Sequence, residues 1–152
     1  MNVLVAVDNS EATLRLVDFA AKHFHGPDYT LHILHIQAVE AAALPGGAGA
    51  AAFAYETSDA LSEEQEAEAR KFLQEVVQPR LSKVNLKPVL HMKRVLGSSS
   101  SLIGETICKQ AAELDAAFTL LTKSSKNAIT KFFVGSVTKY CVQHSQNAVV
   151  VL

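Results

Sequence analysis

The sequence predicts an α/β fold built on an open five-stranded parallel sheet with helices on both faces. Five short apolar runs alternate with segments whose apolar residues recur at helical spacing. The runs are almost continuously apolar, which fits strands covered on both faces. A length of 152 residues supplies one sizeable core and is too short for two ordinary domains. Parallel βαβ units with right-handed crossovers follow from that alternation. The expected organisation is a single domain over residues 1–152 with a low-complexity insertion at about 38–61.

Taken in order, Asn2 to Val7 is a β-branched and aliphatic run closed by Asp8-Asn9-Ser10, so it reads as a buried strand ending in a polar turn. Ser10 is the expected N-cap of a helix that carries Leu14, Val17, Ala21 and Phe24 on one face and stops at Gly26-Pro27. Tyr29 to Ile36 is the second strand. Its His32 and His35 fall at odd spacing, on opposite faces, which argues for structural histidines and against a shared metal. The glycines and proline between Ala38 and Ala54 prevent a continuous helix, and the small side chains there cannot build a core. A flap or linker is the expectation.

Ser62 with Gln65 resembles a capping box and opens a helix to about Ser82, with Ala69, Phe72, Val76 and Val77 inward and Pro79 kinking or ending it. Lys87 to Val95 is a third strand, with Pro88 at its start or on an edge, closed by Leu96-Gly97. Ser98 to Ser101 offer caps for a helix that places Ile103, Ile107, Ala111 and Leu114 on one face. Ala116 to Leu121 is the fourth strand. A helix from Ser136 turns Val137, Tyr140, Cys141 and His144 inward, and Ala148 to Leu152 is the last strand.

Charge is unevenly spread. Residues 1–69 hold two basic and eleven acidic groups, and residues 70–152 hold twelve basic and four acidic, so the second half is the one that suits an anion. A net charge near zero predicts no general nucleic-acid partner. Cys108 and Cys141 show neither CxxC spacing nor a neighbouring His and Asp, and read as buried free thiols. The strand pattern begins almost at Met1, and no apolar run reaches membrane-spanning length. The expectation is a cytoplasmic protein with no membrane partner.

The stretch from Leu120 to Tyr140 is the candidate anion site. A strand runs into a loop bearing Lys123, Lys126 and Lys131, and Gly135-Ser136 then opens a helix whose free N–H groups and dipole favour negative charge. A capped helix start beside solvated lysines explains the same pattern without a ligand. In parallel sheets ligands sit beyond the carboxyl ends of strands where strand order reverses. That rule selects Asp8 to Ser10, Gly97 to Ser101 and Thr122 to Gly135. Asp8 could accept from a ribose hydroxyl or an adenine amino group, or cap the next helix. A phosphoacceptor receiver is disfavoured because the third strand ends Arg94-Val95-Leu96-Gly97 without an aspartate. Neither GxxxxGK[ST] nor GxGxxG occurs, and no Ser-His-Asp, Cys-His or paired-acid constellation is readable. Nothing in the sequence compels an enzyme.

The motifs VLVAVDNSE, LHILHI, RVLGSSSSLIGETI and FFVGSVTKYCVQHSQNAVVVL resemble, in order and spacing, the universal stress protein family over nearly the whole chain. The resemblance implies a Rossmann-like sheet of the adenine nucleotide alpha hydrolase type, a homodimer paired through Ala148 to Leu152, and a role in stress physiology. In one branch it implies ATP or AMP binding, with magnesium a possible companion of the phosphates and no required reaction. It would place Ala6 under the base, Asp8 and the Ile36 backbone on adenine and ribose, and Leu121 along the base pocket. Gly135, Ser136 and Val137 would meet the phosphates, with Gly97 at the same crevice. The branch's two loop glycines map onto Thr122 and Ser125, so both are replaced here. A positive φ at the first would strain Thr122, whereas an ordinary φ would let the Thr122 and Ser125 hydroxyls stand in. The competing expectations are a nucleotide-binding module, a dimeric interaction module that has lost the nucleotide and has an unidentified protein partner, and slow ATP hydrolysis.

Overall fold

The computed structural model describes residues 1–8, 10–39, 64, 66–123 and 135–152. The elements run β1 (Asn2–Val7), α1 (Glu11–His23), β2 (Thr30–Val39), α2 (residues 66–82), β3 (Val89–Leu96), α3 (Ser100–Glu113), β4 (Ala116–Leu121), α4 (Ser136–His144) and β5 (Ala148–Val151). All neighbouring strands pair in parallel, in the order β3-β2-β1-β4-β5. The five strands and the parallel sheet agree with the sequence reading. β2 runs on to Val39 and takes in Ala38. The remainder of the insertion at 38–61 and the Ser62–Gln65 box lie outside the described residues, Glu64 excepted.

Strand alternation divides the core in two. Val3, Val5, Val7, Leu31, Ile33 and Leu120 face Leu16, Val17 and Ala20 of α1 and Leu73, Val77 and Leu81 of α2. Leu4, Leu34 and Leu121 face Ile107 and Ala111 of α3 and Cys141 of α4. Helices therefore cover both faces, as expected. Two helical faces differ from the reading. In α1 the buried stripe is Ala12, Thr13, Leu16, Val17 and Ala20, with Leu14 only partly covered. In α2, Leu73–Val77 forms a wider π turn, and the N–H of Gln78 bonds Leu73 O. Pro79 follows directly, and its ring would crowd the carbonyl four residues back in a regular helix. The wider turn keeps Ala69, Leu73, Val77 and Leu81 buried on one face, with the expected Phe72 packed at its margin and Val76 only partly covered. On α4 the expectation of an inward His144 is also corrected. It is exposed and stacks on Tyr140 at 4.1 Å.

α3 and α4 pack closely on each other at Gly104. A Cβ there would lie 2.6 Å from Cδ1, 2.8 Å from Cγ and 2.9 Å from Cβ of Tyr140. Rotating the Tyr140 ring cannot relieve the last of these, so the backbones themselves must part. Gly104→Ala should therefore lower unfolding stability by about 1–3 kcal/mol. Urea titration checks this, and an unchanged midpoint would contradict so close a crossing.

Candidate functional site

Strand order reverses between β1 and β4, which places the carboxyl ends of β1, β2 and β4 around one crevice. Asp8 follows Val7 and Ile36 follows His35, and Val7 and His35 are register partners, so Asp8 and Ile36 share that edge. Ala6, Ile36 and Val137 are half-buried against the same apolar cluster as buried Leu121. Four of the nominated residues thus meet on the face covered by α3 and α4.

Asp8 is exposed as a residue, but one carboxylate oxygen is enclosed by the start of α1. Oδ1 accepts from Ser10 N at 3.0 Å, from the Ser10 hydroxyl, and from Thr13 Oγ1 at 2.9 Å. Thr13 Oγ1 also accepts from the Asp8 N–H at 3.0 Å. Ser10 therefore flanks the helix without its side chain bonding the first turn, and its hydroxyl serves Asp8 instead. Burial of the carboxyl pulls its pKa upward. The donors from Ser10 and Thr13, with the nearby His35, outweigh that pull and hold it below the ordinary value. Among the described residues every donor to the carboxylate falls on Oδ1, so Oδ2 is the acceptor left for a ligand.

Two helix starts meet across the crevice. Gly97 has φ of +106°, which favours glycine, and turns the chain from β3 toward α3. Ser99 caps that helix by accepting from Leu102 N at 3.3 Å. Gly135 stands at the N-cap of α4, and Ser136 Oγ lies 2.5 Å from Ser100 Oγ. One hydroxyl pair thereby joins the positive ends of two helices.

Thr122 does not have a positive φ, since Asn85 and Asp115 are the only non-glycine residues with one among those described. Replacing the first glycine therefore leaves this backbone unstrained. Thr122 O accepts from Thr138 Oγ1 at 3.1 Å, anchoring α4 to the end of β4. The next amide, Lys123 N, donates to Leu152 O at 2.8 Å and is occupied by the sheet. Ser125 lies outside the described residues, as do Lys126 and Lys131. Sequence reasoning missed Thr13 and the Ser100–Ser136 contact. An Asp followed two residues later by Ser marks a local turn and so points to Ser10, but Thr13 lies beyond that spacing; the Ser100–Ser136 contact joins distant segments and has no local signal.

The histidines fall where strand alternation put them, on opposite faces. His32 Nδ1 lies 3.0 Å from His91 Nε2, and His32 Nε2 lies 3.3 Å from Asn2 Oδ1. His35 is buried beside Val7, and its Nδ1 has no hydrogen-bond partner among the described residues. Burial lowers the pKa of all three imidazoles. His91 reinforces the shift at His32 and Lys93 reinforces it at His91, while Asp8 opposes it at His35. An imidazole with a lowered folded-state value costs stability as the pH falls below 6.5, because the unfolded chain takes the proton first. Unfolding midpoints should fall through that range, and His35→Gln should make the fall shallower. An identical slope in the variant would show that His35 is not a source of it.

The model of the Universal stress protein family matches residues 1–152. No curated protein matches the chain by sequence. Among solved structures, a universal stress protein from Archaeoglobus fulgidus is 22% identical, covering 99% of this chain and 97% of that one with a TM-score of 0.70. A structure of the universal stress protein from the same organism in complex with dAMP is 21% identical, covering 99% and 96% with a TM-score of 0.66. A universal stress protein in complex with cAMP is 17% identical, covering 100% and 95% with a TM-score of 0.65. At these identities the likeness establishes the fold. No helix among the described residues is long and apolar enough to cross a membrane.

Proposed function

The chain belongs to the universal stress protein family, and from that premise we propose that it binds an adenine nucleotide, ATP or AMP, as a non-enzymatic homodimeric module of stress response or signalling. The observation that carries the reading is the meeting of the α3 and α4 N-termini at Ser100 and Ser136, on the same sheet edge as Asp8, whose Oδ2 takes no donor from the described residues. An anion at the paired helix starts and a hydroxyl or amino donor at Asp8 together describe a nucleotide. The dAMP and cAMP complexes of structurally similar proteins support the ligand class.

In this reading Ala6 and Leu121 border the base, Asp8 and the Ile36 backbone hold ribose and adenine, and Gly97, Gly135, Ser136 and Val137 line the phosphates. Thr122 contributes its hydroxyl, and Ser125 is the second polar substitute in the loop. A magnesium ion would be held through the phosphates, since no group of three His, Cys, Asp or Glu among the described residues could hold a metal.

The dimer would form through β5. Its four residues, AVVV, carry no charge, whereas the opposite edge strand β3 carries Lys93 and Arg94. Charged edges resist pairing and uncharged ones invite it. The occupied Lys123 amide favours the second reading, an interaction module of the same fold without nucleotide, because that amide cannot also hold a phosphate.

Calorimetry with ATP, ADP and AMP separates the two. The proposal expects binding that weakens about tenfold or more in Asp8→Ala, the cost of losing a hydrogen bond to a charged group, and fails in Gly135→Val. No heat at millimolar ligand would overturn it in favour of the second reading. Phosphate release from ATP above the buffer rate would overturn its non-enzymatic part, and a monomer by light scattering at micromolar concentration would overturn the dimer.

A further inference from the structure

Cys108 on α3 and Cys141 on α4 are brought together by the same crossing that demands glycine at 104. Cys141 is fully buried, and its thiol donates to Gly104 O at 3.7 Å. Cys108 lies one helical turn beyond Gly104 on the same side of α3, packed against the cluster that contains Cys141. Both side chains therefore lie against the Gly104 turn of α3, Cys141 through its bond to Gly104 O and Cys108 one turn further on. The close packing of α3 on α4 at Gly104 and Tyr140, one turn from Cys108 and next to Cys141 in the chain, brings the two cysteines into the same helix interface. Access is one-sided. Cys108 opens onto a cavity of about 200 Å³ that is also bordered by Ala112, Asp115, Gln146 and Asn147, and Cys141 does not line it.

We propose that Cys108 and Cys141 form an oxidisable dithiol, which a hydroperoxide entering through this cavity converts to an intramolecular disulfide joining α3 to α4. With hydrogen peroxide, the Cys108 sulfur takes one oxygen as the O–O bond breaks, giving a sulfenic acid and one water. The Cys141 sulfur then displaces that oxygen, forming the S–S bond and releasing a second water. Peroxide gains the two electrons the sulfurs lose, and both thiol hydrogens leave in the waters. Cys108 meets the peroxide first because it borders the cavity while Cys141 is fully buried away from it, and burial, with Cys108 beside it, pushes the Cys141 thiol up to about 12. The inference is independent of nucleotide binding, because its readout is covalent.

The test uses the full reduced chain, treated with hydrogen peroxide, blocked with iodoacetamide and mapped by mass spectrometry. The expected result is an intact mass lower by two hydrogens, a cross-linked peptide containing Cys108 and Cys141, and full reversal by dithiothreitol. In Cys141→Ser the sulfenic acid should persist at Cys108 and be captured by dimedone. A sulfinic Cys108 beside an unmodified Cys141 in the native chain would overturn the proposal, as would a disulfide linking two copies. Mapping of the native chain decides the matter even if the variant fails to fold.

Discussion

The approach of α3 to α4 at Gly104 is the constraint on which the rest of the carboxyl-edge geometry depends. Both helices begin where the sheet ends, and how closely they cross determines whether their first turns can touch. Because residue 104 has no side chain, Tyr140 packs directly on the α3 backbone. With the helices at that distance, Ser100 and Ser136 come into contact, and Thr138 reaches Thr122 O at the end of β4. A larger residue at 104 would act on the crevice through the spacing of two helix starts without touching it. Core packing and the candidate site are therefore one problem here, linked through a rigid pair of helices.

Polar organisation inside the sheet follows a different logic. Asn2, His32 and His91 form a short chain across β1, β2 and β3, closed at one end by Asn2 Nδ2 donating to Leu114 O at 2.6 Å. Each member has a partner, so the polar residues are accommodated beneath α3 without orphaned groups on the interacting atoms. His35 is different. It is buried on the other face with an Nδ1 unpaired among the described residues, and its charge would be felt at Asp8. Unpaired buried nitrogens are uncommon in folded proteins, and this one belongs to the strand position paired with Val7, the residue before Asp8.

Much of the fold was legible because its signals are local and repeated. β1, β4 and β5 are bounded by abrupt composition changes and fall within a residue of their expected limits. Pro88, immediately before β3, agrees with an edge strand. What the sequence hid depends on geometry that periodicity assumes to be ideal. Leu73 and Leu81 were missed on the α2 face because the π turn over Leu73–Val77 keeps Leu73, Val77 and Leu81, four residues apart, on one side where ideal helical periodicity would drift. The Cys108 and Cys141 pair looked like two unrelated thiols because their adjacency is created by Gly104, which has no spacing signature of its own. At the candidate site, the family motifs supplied the list of residues, but only the backbone at Thr122 could show that replacing the glycine leaves no strain.

The unequal edges of the sheet carry a consequence for how large an assembly can become. β3 ends the sheet with Lys93 and Arg94, and β5 ends it with an uncharged four-residue ladder. A sheet with one receptive border and one guarded border has a built-in stopping rule. Were β5 to pair with the β5 of a second copy about a two-fold axis, both outer margins of the composite sheet would be β3 edges bearing Lys93 and Arg94, and fibre growth would have no template on which to continue.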